Sequence, residues 1–225
     1  MKKTERTNKK AMKIAIVTAN YGGIDDVFVP RNQSIPFDYF CFVSDIKHKD
    51  FPKNGTNRQK GKWIKLNLFR ILPNVYDYIV WMDGTVHITS STFLEYIEDM
   101  CHYSDIGAVL HPERATLADE YDYLLKNAKE PYLEARYKDC DWASEIKTLN
   151  DRLGAKLYNP RLFVLKNTEK ARDFMVNWAL TMAITTDFDQ TQFSYLIDEK
   201  RVAVKELYWD DLFRYCKVNK HLKLM

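Results

Sequence analysis

The sequence predicts an α/β fold with a mixed, mostly parallel central sheet and helices on both of its faces. Short apolar segments rich in β-branched residues alternate with longer amphipathic segments along most of the 225 residues. The apolar segments are nearly continuous, as expected for strands that are buried on both faces. Several of them are followed directly by polar residues, which is typical of strands that end at a ligand-binding edge. This alternation predicts an α/β domain with a Rossmann-like nucleotide-binding half.

Six segments are predicted as strands. The first begins at Lys13 and ends in a turn at Gly22 and Gly23, where two adjacent glycines interrupt the apolar pattern. The remaining strands are predicted over 37–45, 78–82, 105–110, 157–167 and 202–209.

Helices are predicted between these strands. The helix over Lys62–Leu72 is stopped by Pro73, and the polar stretch 48–61 before it is predicted as a loop. Ser90 or Ser91 is expected to cap a helix that runs through Met100. Further helices are predicted over 117–129, 142–153, 169–184 and 188–199.

Composition excludes some functional classes. The chain has 34 basic and 31 acidic residues, a net charge of +3, and few basic clusters, so a nucleic-acid partner is not expected. No apolar run reaches the length of a membrane span, so no integral membrane contact is expected. The four cysteines form no C-x-x-C pair, which favours a reducing, cytoplasmic location. We expect a disordered basic tail over 1–12 and a single domain over 13–225.

Four polar clusters follow predicted strands. They are Asn20–Gly23, Ser44–Asp45, Asp83–Thr85 and His111–Arg114. Each cluster taken alone is better explained as a turn, because Gly, Asp, Ser and Pro are common turn residues. Four such clusters at one edge of a parallel sheet favour a ligand-binding cleft.

Carboxylates in these clusters suggest phosphate chemistry. An enzyme that handles a nucleoside diphosphate leaving group uses a divalent cation held by carboxylates, or Lys and Arg, to stabilise the departing charge. Asp83 follows a buried strand, but Thr85 occupies the place of the second carboxylate in a D-x-D pair. The two complete D-x-D strings, 139–141 and 187–189, do not follow a convincing strand.

Several ordered segments resemble one glycosyltransferase-like group. The matching stretches are KIAIVTANYGG, FDYFCFVSD, KLNLFRILPNVYDYIVWMDGTVHI, VLHPER, LYNPRLFVLKN and TTDFDQTQFSYLI. In this order they resemble the DUF616 / TOD1/MUCI70 glycosyltransferase-like family, within the wider group of GT-A glycosyltransferases. The resemblance implies a single GT-A-like domain that takes a nucleotide-sugar donor and a glycan or other hydroxyl-bearing acceptor.

The resemblance also implies roles for individual residues. Asp83 would be catalytic and would bind the divalent metal, Mn²⁺ or Mg²⁺, and Asp189 would be the general base if the reaction inverts the anomeric centre. The loss of the second D-x-D carboxylate at Thr85 leaves metal dependence open. The donor would contact Asn20, Tyr21, Gly22, Gly23, Asp45, Lys65, Asp83 and Gly84. The acceptor would contact His111, Arg114, Asn159, Arg161 and Gln190.

The function predicted on this basis is metal-assisted transfer of a hexosyl or deoxyhexosyl group in polysaccharide biosynthesis. The alternative is a catalytically silent nucleotide- or glycan-binding module of the same fold, which the missing carboxylate would permit. A nucleotidyltransferase is disfavoured because acidic Asp25 and Asp26, rather than basic residues, follow the Gly22-Gly23 turn.

Overall fold

A six-stranded sheet forms the centre of the protein. The computed structural model describes residues 12–27, 29–30, 32–131, 133–134, 145–147, 149–184, 188–200 and 202–219. The strands of the described residues are β1 (Ile14–Ala19), β2 (Phe37–Phe42), β3 (Tyr78–Met82), β4 (Val86–Ile88), β5 (Ile106–Leu110), β6 (Tyr158–Lys166), β7 (Val204–Leu207) and β8 (Cys216–Val218). Of these, β4 and β8 form a separate two-stranded sheet. In space the central sheet has the order β2-β1-β3-β6-β5-β7.

Five of these six strands run in the same direction. β1 pairs in parallel with β2 and with β3, and β5 pairs in parallel with β7. β6 lies between β3 and β5 and is antiparallel to both. The carboxyl ends of the five parallel strands therefore meet at one edge of the sheet, and β6 begins at that edge. This arrangement confirms the predicted α/β fold with a mixed, mostly parallel sheet.

Helices cover both faces of the sheet. In the part of the chain that the structure describes, they include α1 (Asn57–Leu66), α2 (Leu68–Ile71), α3 (Phe93–Cys101), α4 (Leu117–Lys126), α5 (Glu169–Ile184), α6 (Asp189–Lys200) and α7 (Trp209–Leu212), and a 3₁₀ turn lies at Asn150–Arg152. Alternate residues of β1 show the layering, because successive strand side chains point to opposite faces. Ala15 and Val17 pack with α1, α5 and α6, whereas Ile14 and Ile16 pack with α3.

The first helix begins earlier than predicted. The sequence prediction placed residues 57–61 in a loop, but α1 starts at Asn57. Thr56 caps it: the Thr56 side chain accepts a hydrogen bond from the Gln59 backbone, and the Gln59 side chain accepts one from the Thr56 backbone. This reciprocal pair satisfies backbone donors that would otherwise lack partners. The predicted helix is also divided after Leu66, where Asn67 leaves helical geometry.

Other boundaries differ as well. α3 follows Thr92, so the predicted cap at Ser90 or Ser91 is wrong. The short pair β4 and β8 was not predicted; its strands have three residues each, too few to show a period of two. Of the helix predicted over 142–153, residues 142–144 and 148 lie outside the described residues, and the described part has helical geometry at 145–147 and a 3₁₀ turn at Asn150–Arg152. Within the described ranges, no helix combines the length and apolarity needed to cross a bilayer.

Candidate active site

The carboxyl edge of the sheet gathers most of the residues singled out from the sequence. The shared strand direction brings together the residues that follow β1, β2, β3 and β5, and the first residues of β6 lie at the same edge. These residues are Asn20, Tyr21, Gly22, Gly23, Asp45, Asp83, Gly84, His111, Asn159 and Arg161. Tyr158 opens β6 opposite Leu110 at the end of β5.

An ion-paired cluster lies at the end of β3. The Lys65 ammonium donates to Oδ2 of Asp189 at 2.8 Å and lies 3.5 Å from Oδ1 of Asp83. These carboxylates are the two that the sequence analysis assigned to catalysis. Lys65 is buried, the Asp189 side chain is 18% exposed and the Asp83 side chain is 38% exposed. Asp83 is therefore the member of the cluster most open to solvent.

Each member of the cluster is positioned by a different element. Lys65 lies in the last turn of α1, and buried Ile64 beside it anchors that turn in the core. Asp189 is the first residue of α6, where the helix dipole favours a negative charge. Asp83 is fixed at its backbone, where its N–H donates to the Arg161 carbonyl at 2.8 Å. Trp81 Nε1 donates to its side chain, also at 2.8 Å.

Both charges of the buried pair are stabilised. Burial would raise the pKa of the Asp189 carboxyl, but the ammoniums of Lys65 and Lys62 hold that pKa well below its usual range. Burial would lower the pKa of the Lys65 ammonium, yet the charges of Asp189 and Asp83 keep it above the ordinary value. Asp189 and Lys65 are therefore both charged at neutral pH.

Aromatic side chains flank the cluster. The Lys65 ammonium lies 5.7 Å from the centre of the Trp81 ring and 5.9 Å from that of Trp178. Both rings are buried, and ring faces attract cations. Since apolar surroundings also weaken dielectric screening, charges that develop here interact more strongly than at an exposed site.

Two residues beside the cluster were not predicted as members of the site. Lys62 lies one turn before Lys65, with its ammonium 3.6 Å from Oδ1 of Asp189. Its position three residues before Lys65 on the same helix could have indicated this proximity, because residues with that spacing lie on one face of a helix. Asp25 packs against Gly84, where an added Cβ would lie 2.6 Å from Oδ2 of Asp25. A larger residue at position 84 would therefore require the Asp25 side chain to move.

The residues predicted to contact the donor form the loops after β1 and β2. Asn20 closes its own loop, since its side chain donates to the Asp25 carbonyl and accepts from the Asp25 N–H. The buried Tyr21 hydroxyl donates to the Ser44 carbonyl at 3.0 Å. Burial, followed by the charge of Asp45, raises the Tyr21 pKa to about 12, so this hydroxyl stays protonated.

Gly22 and Gly23 both have positive φ angles, +77° and +58°. An added Cβ at Gly22 would lie 2.3 Å from Nδ2 of Asn57, so this turn requires glycine there. Beyond β2, Asp45 pairs with Lys60 of α1 at 2.8 Å. These contacts shape the loops, and direct contact with a donor stays a prediction.

The residues predicted to contact the acceptor lie beyond β5. Arg114 donates to the buried Glu120 carboxylate and lies 2.8 Å from Nε2 of His111. Burial, and then the charges of Arg114 and Arg161, lower the pKa of His111 to about 4. The imidazole is therefore neutral at physiological pH. The influence of Arg161 also shows that this group lies close to the start of β6.

A cavity of about 360 Å³ opens at this group. Its lining includes His111, Arg114, Lys156 and Tyr208. Tyr208 is about half exposed and offers an aromatic surface of the kind that packs against apolar groups while its hydroxyl meets polar ones.

The other three residues predicted to contact the acceptor, Asn159, Arg161 and Gln190, do not line this cavity. Asn159 accepts from the Arg161 N–H at 3.1 Å, and Gln190 follows Asp189 in α6. The backbone hydrogen bond from Asp83 to Arg161 connects β6 to the ion-paired cluster.

The donor set at Asp83 does not fit a divalent metal. Mg²⁺ is usually held by one or two carboxylates together with substrate phosphates and water, and a competing positive charge at those carboxylates disfavours it. Here the Lys65 ammonium already lies between the two carboxylates, and Thr85, in place of the second D-x-D carboxylate, is buried. Among the described residues, no three His, Cys, Asp or Glu side chains are grouped so that they could hold a metal.

A larger groove of about 720 Å³ lies between α1, α2 and α5. Apolar side chains such as Trp63, Met175 and Leu180 form much of its lining. Lys62 also lines it, but neither Asp83 nor Asp189 does. The groove therefore approaches the strand-end cluster at Lys62 and not at its carboxylates.

Comparisons with known proteins identify the fold. No protein-family model matches the chain, and no curated protein sequence matches it significantly. Among solved structures, the bifunctional glycosyltransferase WbbM in its apo form matches with a TM-score of 0.52 at 11% identity. The match covers 91% of this chain but only 40% of WbbM.

Two other matches are weaker. Mouse xyloside xylosyltransferase 1, in its apo form, has a TM-score of 0.47 at 11% identity, covering 94% of this chain and 96% of that one. The galactosyltransferase LgtC, in complex with donor and acceptor sugar analogs, has a TM-score of 0.44 at 11% identity. The match covers 88% of this chain and 73% of LgtC. The WbbM match shows that this chain shares its fold with a solved glycosyltransferase.

Proposed function

We propose that this protein transfers a sugar from a nucleotide-sugar donor to a hydroxyl group of a glycan or related acceptor. The observation that carries the proposal is the meeting of Asp83, Asp189 and Lys65 at the carboxyl edge of the sheet. Ligands of open α/β sheets bind at this edge, and the sheet belongs to a fold that a solved glycosyltransferase shares. Charged groups gathered there suit a reaction that releases an anionic leaving group.

The donor is assigned to the loops after β1, β2 and β3. Positive-φ glycines keep the turn after β1 free of side chains, so a nucleotide could approach its backbone closely. Lys65 is within reach of a diphosphate placed beside Asp83. The acceptor is assigned to the cavity at His111 and Arg114, which Arg161 connects to Asp83.

Asp189 is the carboxylate that we assign as general base in an inverting reaction. A base must accept a proton, and an ion-paired carboxylate accepts one poorly while the pair persists. This role therefore requires Lys65 to shift toward the donor phosphates once the donor is bound. Donor binding would then precede activation of the acceptor.

The finer assignments belong to the same proposal. They are membership of the DUF616 / TOD1/MUCI70 glycosyltransferase-like family, transfer of a hexosyl or deoxyhexosyl group, a role in polysaccharide biosynthesis and a cytoplasmic location. Their support is the set of ordered motifs around Asp83 and Asp189 and the cysteine spacing. The silent binding module is the second candidate, favoured by Thr85 in place of a carboxylate.

A binding screen with two variants tests the proposal. Purified protein is titrated calorimetrically with UDP, GDP, dTDP and CMP and with their sugar conjugates. We expect one nucleotide to bind selectively and to raise the melting temperature by mass action. Asp83→Asn should lower kcat/KM at least about 100-fold while the protein stays folded, because it removes a negative charge that would stabilise the positive charge developing on the donor sugar in the transition state. Asp189→Asn should lower kcat more than donor affinity.

Binding without any turnover in the unmodified protein would favour the silent module. Unchanged activity in Asp83→Asn would remove Asp83 from the reaction. Unchanged kcat in Asp189→Asn would remove Asp189 from the base role.

A further inference from the structure

Two lysines and two carboxylates form one compact group at the proposed donor site. The Lys65 ammonium contacts Oδ2 of Asp189, and the Lys62 ammonium lies 3.6 Å from Oδ1 of the same carboxylate. Lys65 also lies 3.5 Å from Asp83. Asp189 therefore holds one ammonium at each of its oxygens, and both lysines are fixed beside the strand end.

The formal charge of this group matches that of a metal site. Two ammoniums contribute the same charge of +2 as one divalent cation. Here they lie beside the carboxylates of Asp83 and Asp189, whose two negative charges they balance. Lys62 and Lys65 are three residues apart on α1, so their side chains project from the same face of the helix. Their side chains are only 12% and 6% exposed, so solvent screens them weakly.

We propose that Lys62 and Lys65 supply the positive charge at the diphosphate leaving group, so that donor binding and sugar transfer proceed without a divalent metal. This inference rests on the proposed function. Lysine binds phosphate as a point charge, and the buried Trp81 and Trp178 rings strengthen the attraction by excluding water. Asp189 acts as the positioning residue that holds both ammoniums before the donor arrives.

The test compares binding and turnover with and without metal. Protein freed of metal with EDTA is titrated with UDP, GDP and dTDP, and the titrations are repeated with Mn²⁺ and with Mg²⁺. For the nucleotide that binds, we expect Kd values within about threefold under all three conditions, since no metal ligand set is needed. Turnover of the corresponding nucleotide-sugar should likewise persist in EDTA.

A charge-removing variant tests the role of the lysines. Lys62→Gln should weaken nucleoside diphosphate binding in EDTA by about tenfold or more, since it removes a charge-assisted contact. Binding of the corresponding nucleoside, which lacks phosphate, should be unchanged. The exposed Lys170 on α5 provides the control, and Lys170→Gln should leave both affinities unchanged. Melting temperatures verify that both variants are folded.

The outcomes separate this inference from the proposed function. Binding or turnover that appears only with Mn²⁺ or Mg²⁺ overturns the inference and leaves the glycosyltransferase proposal in place. An equal loss of diphosphate and nucleoside affinity in Lys62→Gln also overturns it, because that pattern indicates a structural role. No binding of any nucleoside diphosphate under any condition overturns both.

Discussion

Replacing Lys65 with methionine is expected to destabilise the folded protein by about 3 kcal/mol, because it leaves Asp189 buried without its closest partner. Lys65 is 5% exposed and pairs with Asp189 at 2.8 Å. Removing one partner of such a pair costs about 3–5 kcal/mol. The partial exposure of Asp189 and the nearby Lys62 ammonium place the cost at the lower end. Methionine has nearly the same length and helix propensity as lysine, so packing contributes little.

A double-mutant cycle isolates the interaction. Lys65→Met, Asp189→Leu and the double variant are unfolded in urea at pH 7, and their free energies of unfolding are compared. The double variant should recover most of the loss, since an apolar pair beside Trp81 and Trp178 needs no counter-charge. For a chain of this length, Lys65→Met alone should lower the melting temperature by about 6–12 °C.

An exposed ion pair on α4 provides the matched control. Lys126 and Asp122 lie 4.0 Å apart, with side chains 76% and 72% exposed. Lys126→Met and Asp122→Leu should show almost no coupling, because solvent screens such pairs. A coupling energy for Lys65 and Asp189 no larger than that of this surface pair would refute the reasoning.

Two further predictions concern the loops around the site. The pKa of His111, about 4 in the folded protein, lies below the unfolded value of about 6.5, so only the unfolded state gains a proton between these values. The neutral His111 imidazole therefore contributes its full stabilisation of the folded protein above pH 6.5, and this contribution is lost as pH falls toward 4. It amounts to about 1–2 kcal/mol after allowing for partial exposure of the side chain. Urea unfolding from pH 7 to 4.5 should show a flatter pH dependence in His111→Gln, and an unchanged slope would contradict the assignment. Gly22→Ala should cost about 1–3 kcal/mol, because the residue has a φ of +77° and its new Cβ would overlap Asn57. The control Gly154→Ala, with no atom within 4 Å of the added Cβ, should be neutral or slightly stabilising, and equal melting temperatures for the two variants would contradict this account.

The strand-end residues could be predicted from the sequence because they depend on local patterns. A near-continuous apolar run predicts a buried strand, and parallel strands place their carboxyl ends at one edge. This reasoning places Asp83, Asp45 and His111 at the same edge without any knowledge of strand order, and the structure has all three there.

The pairing of Lys65 with Asp189 could not be predicted from local pattern, because 124 residues separate them. The contact depends on how α1 and α6 pack over the same face of the sheet, and a single sequence does not report that packing. The β4–β8 pair was also missed. It joins residues that are far apart in the sequence, such as Ile88 and Cys216, and each strand is too short to show a pattern of its own.

The start of α1 was missed even though its signal was present. The polar composition of 48–61 led to the prediction of a loop, although Thr56 and Gln59 have the spacing of a capping box. Lys62 was overlooked as a member of the site because it was read only as part of a helix. Its position one turn before Lys65 becomes informative once Asp189 is known to lie opposite both.

Turnover of a nucleotide-sugar tests the central claim most directly. The protein is incubated with UDP-, GDP-, dTDP- and CMP-sugars and a panel of glycan acceptors, and both the released nucleotide and the glycosylated product are measured by mass spectrometry. We predict that one donor releases its nucleotide with matching product formation, and that Asp83→Asn abolishes both. Selective nucleotide binding with no release from any donor would contradict transfer and leave a binding module.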